Sequence, residues 1–205
     1  DTTGSFTTLS VIDTAPSNAV RCRIQLTMSD PVGTVVFDNV TVTDDSPANL
    51  LFNGAFEFSD SSPKYWESVV SAGATNGSVV DIDATSSVNL AFKIDETSSG
   101  ISFHKLRQYL KVIEGETYEF SAKVKTSLTS GRAFLHITYF DDSDNSLSAG
   151  FSSQLTGINS FTELYVSKTA PSGAVKMRLQ LIADQGSDSE IIGTVTFDDA
   201  VLTPQ

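Results

Sequence analysis

A single cysteine, Cys22, stands in 205 residues, so no intrachain disulfide can close. As an alternating-row residue it reads as a small apolar side chain rather than a reactive thiol. Histidine is nearly as scarce. His104 and His136 have no second His or Cys at ligand spacing, and no Gly-x-Ser-x-Gly elbow, phosphate loop or His-Glu-x-x-His stretch occurs. These absences argue against an enzyme. Asp141, Asp142 and Asp144 could imitate a hydrolytic carboxylate pair, but they fall in an Asp/Ser/Asn run where such side chains bond locally in a turn. No apolar run approaches the ~20 residues of a membrane-spanning helix. No signal peptide is visible, and with Asp1 as the first residue that says nothing about export. Cations are few: 13 Lys and Arg face 25 Asp and Glu, a net charge of −12. That balance disfavours nucleic acid and anionic membranes, which need a basic patch. Long Ala/Leu/Glu/Lys runs are missing, so helices are not expected.

What is present is alternation. Tyr118, Phe120, Ala122 and Val124 form an apolar row with Glu119, Ser121, Lys123 and Lys125 opposite. Similar runs cover 78–82, 88–94, 101–112, 132–140 and 160–166. Turn signals stand at Glu114-Gly115, Ser130-Gly131, 141–145 and 171–173. About ten short strands at this spacing predict an all-β, antiparallel two-sheet sandwich, a jelly roll. Hydrophobic residues make up 40% of the chain, enough for a real core.

The chain also repeats itself. FTTLSVIDTAPSNAVRCRIQL at 6–26 matches FTELYVSKTAPSGAVKMRLQL at 161–181 at 13 of 21 positions. GTVVFDNVTVT at 33–43 then matches GTVTFDDAVLT at 193–203. Residues 1–45 are therefore expected to be the C-terminal strands of a preceding, partial module, and residues 46–205 a complete one. The linker is Asp44-Asp45-Ser46-Pro47. In the first copy Val20, Cys22, Ile24 and Leu26 are expected inward; in the second, Val175, Met177, Leu179 and Leu181, with Lys176, Arg178 and Gln180 outward. Apolar phase slips between Phe197 and Ala200, and likewise between Phe37 and Val40, which predicts a β-bulge at Asp198-Asp199. Asp38 matches Asp198, whereas Asn39 replaces Asp199. Tandem arrays of β modules are usually extracellular binders or structural spacers.

Three stretches carry a resemblance: NLLFNGAFEFSDSSPKYW near the start of the whole module, LRQYLKVIEGETYEFSAKVKTS in its middle, and VTFDDAVL at its end. Together they resemble the calcium-bearing jelly-roll carbohydrate-binding modules, over essentially all of 49–203. One departure is the extra residue between Gly54 and Phe56. The resemblance implies a structural calcium ion where the first and last strands meet, with Glu57 and Asp198 as matching carboxylates and Asp199 beside them. Backbone carbonyls usually complete such a shell. It also implies a glycan-binding sheet face. The outward row Phe134, His136, Thr138 offers a surface of that kind, with Arg178, Gln180 and Gln108 on neighbouring strands. Trp66 corresponds to a position usually buried in the family. The leading expectation is a non-catalytic glycan-binding module of an extracellular, cell-surface or virion-surface protein. The alternative is a self-assembling module of a filament, sheath or phage appendage, a homo-polymer in which residues 1–45 complete a neighbouring copy's sandwich. Neither involves nucleic acid or membrane insertion.

Overall fold

The computed structural model describes residues 9, 11, 25–27, 49–57, 62–72, 74, 77–82, 89–96, 100–101 and 103–205. The chain divides into two units, Asp1–Thr43 and Asp44–Gln205. In the first unit Leu26, expected in a buried row, is half-exposed, and residues 25–27 form no strand. Val20, Cys22, Ile24, the Asp38-Asn39 pair, the linker and the strand donation expected of residues 1–45 lie outside the described residues.

Ten strands stand among the described residues of the second unit: β1 (Glu67–Val70), β2 (Ser78–Asp81), β3 (Leu90–Glu96), β4 (Phe103–Lys111), β5 (Thr117–Ser130), β6 (Arg132–Phe140), β7 (Ser146–Phe151), β8 (Ile158–Thr169), β9 (Lys176–Asp184) and β10 (Ile192–Pro204). They form two five-stranded sheets, ordered β1-β4-β9-β6-β7 and β2-β3-β10-β5-β8. Every pairing among the described residues is antiparallel, so the fold is an all-β jelly-roll sandwich. From β3 onward, most strands pair with elements distant in sequence, and the two sheets enclose one core.

Alternation decides which side chains fill that core. Tyr118, Phe120, Ala122 and Val124 of β5 are buried, as are Ala133, Leu135, Ile137 and Tyr139 of β6 and Met177, Leu179, Leu181 and Ala183 of β9. Each large apolar side chain buried this way contributes roughly 1.5–3 kcal/mol. Val175 departs from its expected inward place: it precedes β9 and is 45% exposed. The turn at 141–145 closes on itself. The Asp141 carboxylate accepts the amides of Ser143 (2.9 Å) and Asn145 (2.8 Å) and the Asn145 side chain (3.0 Å). The Asn145 bonds hold its carboxyl below the usual range. This acid is a turn former, spent on its own loop.

β10 carries the expected bulge. Its register against β5 shifts between Asp198 and Val201, and Asp199 takes a left-handed φ of 47°. One extra residue there lets Val195 and Phe197 before it, and Ala200 and Leu202 after it, all reach the core.

Candidate functional site

The outward side of the first sheet is built by strand register. Phe151 of β7 stands opposite His136 of β6, which pairs with Gln180 of β9, which pairs with Arg107 of β4. The adjacent same-side rung is Ala149, Thr138, Arg178 and Tyr109. Four strands at ~4.8 Å spacing make this band about 14 Å wide, room for a short oligosaccharide.

The band is ordered by its own contacts. The His136 and Phe151 rings stack at 4.2 Å, nearly parallel at 9°. Phe134 tilts against Phe151 at 6.1 Å, and Arg132 lies over Phe134 at 5.1 Å. These two neighbours explain how Phe134 is buried although it faces outward. His136 Nδ1 is 3.2 Å from Gln180 Oε1, and its Nε2 is 3.1 Å from the Thr138 hydroxyl. Burial lowers the His136 pKa first, the Gln180 bond opposes it, and the charges of Arg178 and Lys105 lower it further. Phe151, 59% exposed, and Tyr109, 44% exposed, present aromatic faces at either side of the band. The Arg178 guanidinium lies 5.1 Å over Phe140, and its buried Nε has no hydrogen-bond partner. At the β4 end, beyond Tyr109, an open groove of about 480 Å³ is lined by Tyr109, Leu110, Lys111, Val175 and Lys176.

Phe134, His136, Arg178 and Gln180 thus come together as expected. Gln108 does not join them. It pairs in register with Leu179, on the core side, and both its amide atoms are used by Phe52: the Phe52 amide donates to Oε1 at 3.2 Å, and Nε2 donates to the Phe52 carbonyl at 2.6 Å. Gln108 anchors the chain segment before β1. Phe151, Tyr109 and Arg107 were missed in the sequence. Phe151 follows a weakly alternating Ser/Ala/Gly run, and its partner His136 is set only by the β6–β7 register.

The second candidate locus is the bulge. Residues 49–57 dock on it. Asn49 Oδ1 accepts the amides of Leu51 (3.0 Å) and Leu202 (2.9 Å), while its Nδ2 donates to the Ala200 carbonyl at 2.9 Å. The Ala200 amide donates to the Gly54 carbonyl, also at 2.9 Å. A Cβ at Gly54 would fall 1.9 Å from the Ala200 carbonyl oxygen, so only glycine fits. Asp198 is buried there and accepts the Asp199 amide at 2.7 Å. Burial, then the charges of Asp199 and Glu57, push its pKa up to about 6. Glu57 accepts the Leu90 amide at 2.9 Å. Asp199 takes Lys123 as its partner at 2.8 Å and is about half-exposed. Among the described residues no cluster of three His, Cys, Asp or Glu side chains could hold a metal ion by itself. A buried carboxylate crowded by two others fits a bound divalent cation. Glu57 and Asp198 with backbone carbonyls are the donor set present, and Asp199 is already engaged elsewhere.

No family model matches the chain, and no curated protein matches it. Solved structures do. TmCBM61, solved with beta-1,4-galactotriose, superposes with a TM-score of 0.52 at 14% identity, covering 77% of this chain and 99% of that one. The C-terminal family 22 carbohydrate-binding module of Clostridium thermocellum Xyn10B gives 0.51 at 18% identity, covering 78% and 97%. The fold is similar to that of these carbohydrate-binding modules. At these identities the likeness concerns the fold. The enzymatically active domain of bacteriophage CBA120 tailspike protein 4 is similar too, with a TM-score of 0.62 at 12% identity and 77% of this chain covered. This chain spans 21% of that structure, and 26% of a similar arabinofuranosidase, MgGH51, so the carbohydrate-binding-module fold matches only a part of those proteins.

Proposed function

We propose that this protein is a non-catalytic glycan-binding module that works outside the cell or on a cell or virion surface. The observation that carries the reading is the rung Arg107, Gln180, His136, Phe151, in which an exposed ring stacked on a second ring adjoins planar polar groups. Sugar rings present apolar C–H faces and equatorial hydroxyls, and such a band meets both. The likeness in fold to TmCBM61, solved with a galactotriose, supports it. Tandem arrays of β modules usually work as extracellular binders, hence the proposed location. Isothermal titration against a panel of oligosaccharides tests the idea. Phe151→Ala is expected to weaken binding by about tenfold or more, in line with a stacked aromatic contact of ~0.5–1.5 kcal/mol plus its lost area, while leaving the melting temperature within a degree or two. Undiminished affinity in that variant would remove the site.

A calcium ion held by Glu57, Asp198 and neighbouring carbonyls belongs to the same proposal. When bound it supplies positive charge to the crowded carboxylates and ties residues 49–57 to β10. Its role is structural, because the locus lies on β10, in the other sheet from the rung.

A further inference from the structure

The outward band is cationic in an acidic protein. Thirteen Lys and Arg occur in the chain, and all but Arg21 and Arg23 lie among the described residues. Six of those eleven point outward from three strands: Lys105, Arg107 and Lys111 of β4, Lys176 and Arg178 of β9, and Arg132 of β6. The carboxylates on the same side of this sheet are Asp184 and, on the edge strand β1, Glu67. The outward side of the other sheet is the internal control. There β3, β10, β5 and β8 carry Lys93, Lys123 and Lys125 against Asp95, Glu119, Glu163, Asp198 and Asp199. Charges placed only for solubility would not segregate by sheet in a chain of net charge −12.

Three of the six cations are neutralised: Arg107 by Glu67 at 2.5 Å, Arg132 by Asp184 at 2.7 Å, and Lys176 by Asp144. Lys105 and Arg178 have no carboxylate partner among the described residues; Lys105 lies 4.3 Å over Phe103 and Arg178 over Phe140. Both charges lower the pKa of His136, whose rung lies between theirs on the band, so they flank its centre. The Arg178 Nε is buried, so a ligand on this face would meet the outer nitrogens of the guanidinium, whose fork matches a carboxylate.

We propose that this face selects an anionic polysaccharide, one whose hexuronate ring stacks on Phe151 or Tyr109 while successive carboxylates along its chain take Arg178 and, about 13 Å further along the band, Lys105. This rests on the glycan-binding reading and specifies its ligand class.

The test is titration of the full chain with oligogalacturonates, their methyl esters, neutral β-1,4-galactan oligosaccharides and dextran sulfate. Methyl esterification removes the charge and keeps the sugar backbone. The expected result is binding to the free acid that weakens about tenfold or more on esterification, falls as salt is raised to ~0.5 M, and falls again in Arg178→Gln and in Lys105→Gln. Lys105→Gln guards against a folding defect in the first variant. Equal binding of acid and ester would overturn the anionic inference and leave the glycan reading standing. Tighter binding of dextran sulfate, unaffected by Phe151→Ala, would overturn the carboxylate assignment. Binding to none of the four would defeat both readings, provided a wider neutral-glycan panel also fails; binding within that panel alone defeats only the inference.

Discussion

His104 Nε2 and Glu96 Oε1 lie 2.6 Å apart in the core, both buried, joining β4 of one sheet to β3 of the other. Burial lowers the His104 pKa, and the Glu96 bond and charge only partly restore it. His136 is lowered for the same leading reason. A histidine whose folded pKa is depressed contributes stability above its unfolded value of about 6.5, and that contribution is lost as pH falls through the depressed folded value. Thermal melts from pH 8 to 5 should therefore show a falling acid limb. His104→Gln should flatten it, at a cost of about 1–3 kcal/mol at neutral pH from the disturbed buried bond. An unchanged acid limb in His104→Gln would show that other groups carry it. Asp198 has the opposite sign. Its pKa is raised to about 6, so its ionised form disfavours folding as pH rises through that value, by roughly 2–3 kcal/mol at 1.36 kcal/mol per pKa unit. In chelator at pH 8, Asp198→Asn should melt higher than the natural protein. In millimolar calcium the natural protein should overtake it. Identical responses to calcium in the two proteins would dismiss the metal.

At the scale of elements, the junction of residues 49–57 with the β10 bulge is the most constrained. Gly54→Ala drives a Cβ into the Ala200 carbonyl, so the docked segment must lift and Asn49 must release Ala200 and Leu202. The expected loss is about 2–4 kcal/mol, in the range of strained backbone plus broken buried bonds. Any calcium-dependent rise in melting temperature should shrink with it. A near-neutral Gly54→Ala would mean the segment docks more loosely than these contacts require. β10 itself shows how much of an element is written in its residues. The slip from Phe197 to Ala200 marked the bulge in advance, because apolar residues must return to the core side whatever lies between them. β1 and β7 left weaker marks. ESVV and SLSAGF lack a clean two-residue alternation, since edge strands are only partly covered. One of the band's missed residues, Phe151, owes its place to such an edge, β7.

For the molecule as a whole, all of the described strand pairings join residues between 67 and 204. The excised unit 44–205 should therefore keep a cooperative melt close to that of the full chain and scatter light as a monomer. Failure of that fragment to fold would mean that residues 1–43 contribute to its core. Light scattering of the full chain over a concentration series then addresses the self-assembly reading directly: mass that grows with concentration and disappears in the 44–205 fragment would assign the repeated segment to assembly between copies.

The sequence by itself determined most of the strands of the second unit (though not the edges β1 and β7), where the turns fall, and that β10 must bulge at Asp198-Asp199. These follow from two-residue alternation and from turn chemistry, which act between near neighbours along the chain. Only the tertiary structure decided what each strand lies beside. His136 meets Phe151, Gln180 meets Arg107, and Gln108 turns inward to hold Phe52 because ladder register, rather than any local pattern, brings those residues together across 15 to 73 positions. The same registers gathered six of the chain's few cations on one face, an asymmetry that a net charge of −12 conceals.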